Sequence, residues 1–420
     1  MHLNKEAIAV TLLAMFTAFV IGLIVVLCQE VLSSTNSASS PSSKSVSRVV
    51  FVGNSTFNDV HYESTQRKNN NSFVSSLVKS QAMFIIGDSS VDCGGNTLFY
   101  PLLRRNLSIF PCSNGSDSTL VHHFLAMKMG LSDISSFYEQ NGTIQGILNG
   151  LNYGSAGATI LPNSVGPSFQ SLNQQLRQSF ETIQLLQLQL GEAEANHLIK
   201  SSIFYISIGK EDFINFLFQN TSFSRDFDTA AQAFWQLLAN ELTSALRSLY
   251  NAGARKVVTM GVLPLGCAPR AGVEWYFRNN GRTSNRRRVR ACVNEINQLV
   301  MQFNQRLNER IIALNLEASD ARFVFCDVYR GLMEIISNPQ TYGFEDARGT
   351  CCGRGWRGAA VGCQSMSMAC NNTSQHIWWD LYNPTEAVNS LLANSAWSGT
   401  SVTEMCRPVT LQALVDYQHH

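Results

Sequence analysis

The chain has 420 residues, and 45 % of them are apolar, which suffices for a large buried core and excludes a wholly disordered protein. Its 31 basic and 30 acidic residues balance to a net charge of +1, so a highly charged nucleic-acid binder is excluded. Charged residues make up only 15 % of the chain, fewer than in typical soluble domains.

An apolar segment near the N-terminus, residues 7–28, carries no charged side chain. At about 1.5 Å per residue, a helix of this length spans a hydrocarbon core of about 30 Å. The segment is longer than the usual secretory signal and lacks a small-x-small cleavage site, so a cleaved signal peptide and an uncleaved anchor both stay open. We expect residues 1–31 to be this signal or anchor, and residues 32–80 to be a Ser-rich stalk or linker.

Two further features indicate that the rest of the chain lies in an oxidising lumen. Ten of the eleven cysteines lie beyond residue 28, and their spacing does not match paired zinc knuckles. We therefore expect disulfides rather than a metal site, with the pairing open. Sequons for N-glycosylation occur at Asn54, Asn70, Asn106, Asn114, Asn141, Asn220, Asn371 and Asn372. The sequence predicts a secreted or membrane-anchored glycoprotein whose main domain, residues 81–420, is lumenal or extracellular.

From residue 82 the pattern becomes that of an α/β domain. Four short apolar runs are typical of buried parallel strands: 82–86, 203–208, 257–262 and 323–325. Helical spacing predicts helices at 122–129, 227–251 and 291–314. Strands that alternate with helices predict a doubly wound sheet that binds ligands at the carboxyl ends of its strands.

Small and polar residues follow these strands. The run GDSSVD at 87–92 puts Ser89 on a turn between strand and helix, a position typical of a nucleophile. The run NYGSAGA at 152–158 is a small-residue loop whose backbone N–H groups can approach a reacting oxygen. Three further blocks are ISIGKEDF at 206–213, GVLPLGC at 261–267 and WWDLYNPTEA at 378–387.

In this order and spacing, the five blocks resemble those of the plant GDSL esterase/lipase family, within the SGNH hydrolase superfamily. The resemblance extends from about residue 82 to residue 411 and includes Asn297, Asn304 and the CCGRG run at 351–355. It implies a three-layer α/β/α sandwich with a mainly parallel, flavodoxin-like sheet. It also implies hydrolysis of carboxylic esters, such as acyl lipids or acetylated cell-wall material. The partner implied is a small ester or acyl-lipid substrate, without cofactor, metal or nucleic acid, and with membrane contact only through the N-terminal segment.

The resemblance also implies catalytic roles for individual residues. Ser89 matches the nucleophile, and Asp380 matches the residue that orients the catalytic base. The oxyanion hole is implied to use the backbone N–H groups of Ser89 and Ala156, together with a side chain from the third block. Lipid degradation by a secreted plant hydrolase is the function expected of such a site.

The chain departs from the family pattern at two chemical positions. Asn383 stands where the family has its His base, and an amide cannot take the proton from Ser89 near neutral pH. Glu211 stands where the family has the oxyanion-hole Asn, and a carboxylate repels a developing negative charge. Losing the base of such a triad lowers kcat by about 10⁶-fold, so we expect impaired activity. Asp380 is then expected to cap the helix that begins near Pro384.

Two side chains are candidates for a substitute base. Glu211 can take this role if burial raises its pKa. His376 lies near Asp380 in sequence, but on an expected strand, where we expect its ring to pack rather than to reach Ser89.

Three functions stay open on the sequence. The first is an ester hydrolase or acyltransferase of reduced activity. The second is a catalytically silent binder of an acyl or acetylated-glycan ligand, or of a protein partner. The third is a structural cell-surface protein in which the anchor and the glycans dominate the role.

Overall fold

The computed structural model of the chain describes residues 81–92, 96, 119–131, 134–140, 142–161, 170–219, 227–278 and 292–417. Within these ranges, none of the helices has the length and apolar character needed to cross a lipid bilayer. The apolar segment 7–28 and the linker lie outside the described residues, so the signal or anchor and the domain boundaries stay predictions.

A five-stranded sheet forms the centre of the domain, in the order β1-β2-β3-β4-β7. Its strands are β1 (Met83–Gly87), β2 (Ile203–Ser207), β3 (Lys256–Met260), β4 (Arg322–Cys326) and β7 (Cys406–Arg407). The first four pair in parallel, and the short β7 pairs antiparallel to β4. Residues 149–153 run along the other edge of β1, where Ile85 N donates to Leu151 O at 2.9 Å. A separate parallel pair consists of β5 (Asp346–Thr350) and β6 (His376–Trp378).

The four predicted strands are present, with small differences at their ends. Strands β3 and β4 begin at Lys256 and Arg322, which pair with each other in the sheet although both are charged. An apolar run cannot reveal such a charged first residue. Strand β3 ends at Met260, and the predicted run to residue 262 continues as buried loop at the carboxyl edge of the sheet.

Helices connect the strands and cover both faces of the sheet. They are α1 (Val121–Lys128), α2 (Ile144–Ile147), α3 (Leu172–Leu190), α4 (Glu192–Ser201), α5 (Lys210–Gln219), α6 (Phe227–Asn251), α7 (Pro269–Arg278), α8 (Asn294–Glu317), α9 (Val328–Ser337), α10 (Glu386–Ser398) and α11 (Leu411–Val415). Helices α3, α4, α6 and α8 pack among themselves, and α1, α9, α10 and α11 form a second group. Because every residue of β1 and β3 is buried, both faces of these strands are covered. The domain is a three-layer α/β/α arrangement with a mainly parallel sheet, as the sequence predicts.

The predicted helix 227–251 has the observed bounds of α6, whereas α8 begins at Asn294 instead of residue 291. The start of α8 is tied to the Leu265–Cys267 turn, because Val293 N donates to Gly266 O at 2.7 Å. A disulfide between Cys267 and Cys292 closes the same junction. These constraints hold the residues before Asn294 outside the helix.

Four disulfides lie within the described residues, which confirms the preference for disulfides over a metal site. The pairs are Cys267–Cys292, Cys326–Cys406, Cys351–Cys370 and Cys352–Cys363. The last two pack against the buried ring of Trp379, directly before Asp380. Two backbone bonds, Cys351 N to Trp378 O and Cys352 N to Trp379 O, attach this cluster to the segment that enters the candidate site.

Two asparagines of α8 support the loop that follows β3. Asn304 pairs with Val262 in both directions, through Oδ1 at 2.9 Å and Nδ2 at 2.8 Å. Asn297 accepts from Gly266 N at 2.8 Å. The family-like asparagines of this helix therefore hold the 261–267 block by bonding to its backbone.

The end of β1 requires a glycine, which gives a test of the fold. A Cβ on Gly87 lies 2.4 Å from Ser207 O and 2.5 Å from Val91 Cγ2. Gly87→Ala should therefore lower the free energy of unfolding by about 1–3 kcal/mol, the usual cost of overpacking, measured as the urea midpoint. The matched control is Gly272→Ala in α7, where the added Cβ meets no described atom within 4 Å. That variant should gain up to about 1 kcal/mol. Equal midpoints for the two variants would contradict the close packing at Gly87.

Candidate active site

Ser89 lies on the turn that follows β1, and the buried carboxylate of Asp88 holds this turn. Asp88 Oδ1 accepts from Ser90 N at 2.9 Å, and Oδ2 accepts from Lys210 N at 3.0 Å. The backbone N–H of Asp88 donates to Ser207 O at 3.1 Å. One fully buried side chain therefore joins the Ser89 turn to the first turn of α5.

Helix α3 holds the residue before this turn. The amide of Gln175 is fully buried and pairs with the Gly87 backbone in both directions, at 2.8 Å and 2.9 Å. Neither Asp88 nor Gln175 was predicted as a site residue. No sequence motif marks Gln175 as a site residue. Asp88 could have been recognised, because it directly precedes the candidate nucleophile in the chain.

The hydroxyl of Ser89 contacts the carboxylate of Glu211. Ser89 Oγ donates to Glu211 Oε1 at 2.5 Å. Burial raises the pKa of Glu211, and the negative charges of Asp88 and Asp380 raise it further. The positive charge of Lys210 and the hydrogen bond from Ser89 act in the opposite direction. A carboxyl group with a raised pKa thus touches the candidate nucleophile.

Asn383, at the position that matches the family base, contacts Asp380 and Lys210. Its Nδ2 donates to Asp380 Oδ2 at 2.9 Å, and its Oδ1 accepts from Lys210 Nζ at 2.5 Å. Among the described residues, Asn383 makes no hydrogen bond to Ser89. Lys210 is a site residue that no sequence motif indicates.

Asp380 organises the turn that carries Asn383. Its Oδ1 accepts from the backbone N–H groups of Tyr382 at 2.9 Å and Asn383 at 2.7 Å. Helix α10 begins after Thr385, which stands at its N-cap. The expectation that Asp380 caps this helix is therefore wrong: the carboxylate closes the preceding turn instead.

The small-residue loop predicted to contribute to the oxyanion hole is held by another carboxylate. Ala156 N donates to Asp92 Oδ2 at 2.8 Å, and Asp92 is buried. Among the described residues, none accepts a hydrogen bond from Ser89 N. Ala156 N–H, by contrast, already has an acceptor.

Asp212 holds the residues that follow the same loop. Its two carboxylate oxygens accept from Ile160 N at 2.8 Å and Leu161 N at 3.1 Å. Burial raises the pKa of Asp212 to about 7, although the two backbone N–H groups oppose this shift. Buried carboxylates therefore hold both Ala156 within the loop and the residues that follow the loop.

The His376 ring is engaged away from Ser89, as predicted. Its Nδ1 lies 3.1 Å from Asn372 O and 3.6 Å from Cys370 Sγ. The described part of the chain contains no cluster of three or more His, Cys, Asp or Glu side chains arranged to bind a metal ion. The chemistry that this arrangement can perform is proton transfer between a hydroxyl and a carboxylate.

A cavity of about 50 Å³ lies beside Lys210 and Asn383. Tyr205, Met260 and Leu392 are among the mostly apolar side chains that line it, whereas Ser89 and Glu211 do not. This volume accommodates a few water molecules. Asp88 and Ser90, on either side of Ser89, also line this cavity.

A family model and individual plant proteins both match most of this chain. The sequence model described as GDSL-like lipase/acylhydrolase matches residues 83–396. GDSL esterase/lipase At3g50400 of Arabidopsis thaliana is 31 % identical over 338 residues, which cover 76 % of this chain and 87 % of that protein. GDSL esterase/lipase 7 of the same plant is 30 % identical over 328 residues, with coverage of 76 % and 87 %. GDSL esterase/lipase At1g71250, also from this plant, is 29 % identical over 336 residues, with coverage of 78 % and 87 %.

The buried turn at Asp380 can be tested by substitution. Asp380→Ala leaves three N–H groups without their acceptor, so unfolding should become easier by about 1–3 kcal/mol, measured by urea denaturation. Asp346 provides a matched control, because its Oδ1 accepts from Arg348 N and Gly349 N in a similar but half-exposed turn. Water can replace that acceptor, so Asp346→Ala should cost less than about 1 kcal/mol. A loss as large at Asp346 as at Asp380 would contradict the role given to burial.

Proposed function

The chain belongs to the GDSL-like lipase/acylhydrolase family, and from this premise we propose that it is a carboxylic ester hydrolase with Ser89 as nucleophile and Glu211 as general base. The observation that carries the proposal is the hydrogen bond of 2.5 Å from Ser89 Oγ to Glu211 Oε1. It lies at the carboxyl ends of parallel strands β1 and β2, where open α/β sheets bind their ligands.

In the proposed reaction, Ser89 Oγ attacks the ester carbonyl carbon while its proton passes to the Glu211 carboxylate. The tetrahedral intermediate collapses, and the proton on Glu211 passes to the departing alkoxide, which leaves as the alcohol. Water then attacks the acyl-Ser89 ester with Glu211 again as base. Release of the carboxylic acid restores the Ser89 hydroxyl and the Glu211 carboxylate.

We expect the turnover to be slower than that of an enzyme with the full family machinery. The amide of Asn383 cannot act as base, and its two ends are engaged by Asp380 and Lys210. Glu211 removes the amide donor expected in the oxyanion hole, and removing one such donor typically costs about 10²–10³-fold in kcat. Impaired activity is therefore part of the proposal.

The proposed location is the secretory pathway, with the domain secreted or anchored on the lumenal or extracellular side. The four disulfides of the described residues support this, because disulfides persist in oxidising compartments. The sequons at Asn371 and Asn372 support it too, because both side chains are exposed to modification. Acyl lipids and acetylated glycans are the substrate classes we propose, and the relatives' names, esterase/lipase, are in keeping with them.

Hydrolysis of p-nitrophenyl acetate and butyrate by the purified full chain tests the two catalytic roles. Ser89→Ala should reduce turnover to the background rate, because the acyl group has no acceptor. Glu211→Gln should lower kcat by about 10²–10⁴-fold, the usual contribution of a general base. Glu386→Gln is the matched control, because Glu386 bonds Thr119 N rather than Ser89 and should leave the rate unchanged.

Two outcomes would contradict the proposal in different ways. Full activity in Glu211→Gln would remove Glu211 as the base while leaving Ser89 as nucleophile. Equal, near-background rates for the wild type and Ser89→Ala would remove the hydrolase itself. The second result would favour the silent binder, and acyl or acetylated-glycan ligands would then be tested for binding.

Restoring the family residues at two positions should not restore activity on its own. In Asn383→His/Glu211→Asn, the imidazole meets the Lys210 ammonium, which donated to Asn383 Oδ1 at 2.5 Å. A nearby positive charge lowers the pKa of an imidazole, and the ammonium competes for its acceptor nitrogen. Adding Lys210→Ala to this double variant should raise esterase activity by about tenfold or more over the double variant. Equal rates for the double and triple variants would show that Lys210 does not interfere.

A further inference from the structure

We propose that Lys210 is a positioning residue of this hydrolase, whose ammonium group keeps the Glu211 carboxylate ionised and therefore able to take the Ser89 proton. This inference rests on the proposed roles of Ser89 and Glu211. Lys210 is not one of the nucleophile, Asp or base residues that the sequence predicts.

The structure holds the Lys210 ammonium in one place. Lys210 is the first residue of α5, directly before Glu211, and only 3 % of it is exposed. Its Nζ donates to Asn383 Oδ1 at 2.5 Å. The Asn383 amide cannot turn around, because its Nδ2 donates to Asp380 Oδ2 at 2.9 Å. Asn383 therefore acts as a tether for the ammonium rather than as a base.

The surroundings of Glu211 make such a cation necessary. The ionisable groups that interact with Glu211 come from the β1 turn, from α5 and from the loop before α10: Asp88, Lys210, Asp212, Asp380 and Tyr382. Among these groups, Lys210 is the cation. Burial and the neighbouring carboxyl groups favour a protonated Glu211, and a protonated carboxyl group cannot accept the Ser89 proton. The charge of Lys210 favours the ionised form.

Burial strengthens the electrostatic effect of Lys210 on Glu211. Between exposed groups, water and salt screen such an interaction, whereas the charge of the buried Lys210 ammonium is screened much less. A second lysine, Lys256, is equally buried at 2 % exposure, and its Nζ donates to Val415 O at 2.8 Å. Lys256 lies at the start of β3, at the opposite end of the strands from Ser89. It is therefore a matched buried lysine without a role at the site.

The direction of the expected pH effect follows from these charges. Glu211 is active when ionised, so kcat/KM rises with pH as Glu211 loses its proton. Lys210 lowers the pKa of Glu211, so removing the charge should move this acidic limb to higher pH. We therefore expect the acidic limb of the neutral Lys210 variants to lie at measurably higher pH than that of the wild type.

The experiment is the pH profile of kcat/KM for p-nitrophenyl butyrate, with the Ser89→Ala rate subtracted at each pH. Lys210→Met removes both the charge and the hydrogen bond, whereas Lys210→Gln removes the charge but keeps a donor for Asn383. Lys210→Arg keeps the charge. Both neutral variants should shift the acidic limb upwards and approach the wild-type rate at alkaline pH. Lys210→Arg and Lys256→Met should keep the wild-type limb.

An acidic limb that stays in place in the neutral variants would overturn the inference, because the charge has been removed in each of them. A uniform loss at every pH in the neutral variants would also overturn it, since that result indicates a merely structural residue. If Lys210→Met does not fold, Lys210→Gln decides. The pH dependence of Ser89 labelling by a fluorophosphonate provides a second readout that needs no turnover. Absence of Ser89-dependent hydrolysis and labelling in the wild type would instead reject the proposed function, and this inference with it.

Discussion

The buried carboxylate of Asp88 is the contact on which the candidate site depends. It accepts from Ser90 N on the turn after β1 and from Lys210 N at the start of α5. Hydrogen bonds to an ionised acceptor are roughly twice as strong as neutral ones, and burial makes their loss costly. Because both turns share this one acceptor, Asp88 adds a side-chain link between Ser89 and Glu211 to the pairing of β1 with β2.

The same construction has an electrostatic consequence. Asp88, Asp212 and Asp380 each hold backbone N–H groups around the site, and the negative charges of Asp88 and Asp380 also act on Glu211. A raised pKa makes Glu211 a stronger base once it is ionised, but it lowers the ionised fraction at a given pH. The charge of Lys210 raises the ionised fraction of Glu211, whereas burial keeps its pKa raised. The carboxylates of Asp88 and Asp380, which fix the backbone of the site, therefore also raise the pKa of Glu211.

How far the sequence predicts this site depends on the distance along the chain between interacting groups. The Ser89 turn, the parallel strands and α6 were predictable, because strand, turn and helix signals are local. The contact between Lys210 and Asn383 joins residues 173 positions apart, and that between Gln175 and Gly87 spans 88. No local pattern encodes such pairs, so Lys210 and Gln175 went unrecognised. The disulfide pairing and the first residue of β3 were inaccessible for the same reason, since each depends on a distant partner.

The departures at positions 211 and 383 are best understood together with Lys210. A side-chain amide offers a donor to Asp380 and an acceptor to Lys210 at the same time. A neutral imidazole also has one donor and one acceptor, but an acceptor nitrogen that serves Lys210 cannot also take the Ser89 proton. A buried lysine at position 210 and a histidine base at position 383 therefore exclude each other. In the proposed reaction, the base beside Lys210 is a group that a nearby positive charge favours in its proton-accepting form. A carboxylate meets this condition and an imidazole does not, because the charge stabilises an ionised acid but disfavours an added cation. Glu211, on the same helical turn as Lys210 and in contact with Ser89, is placed to be that group.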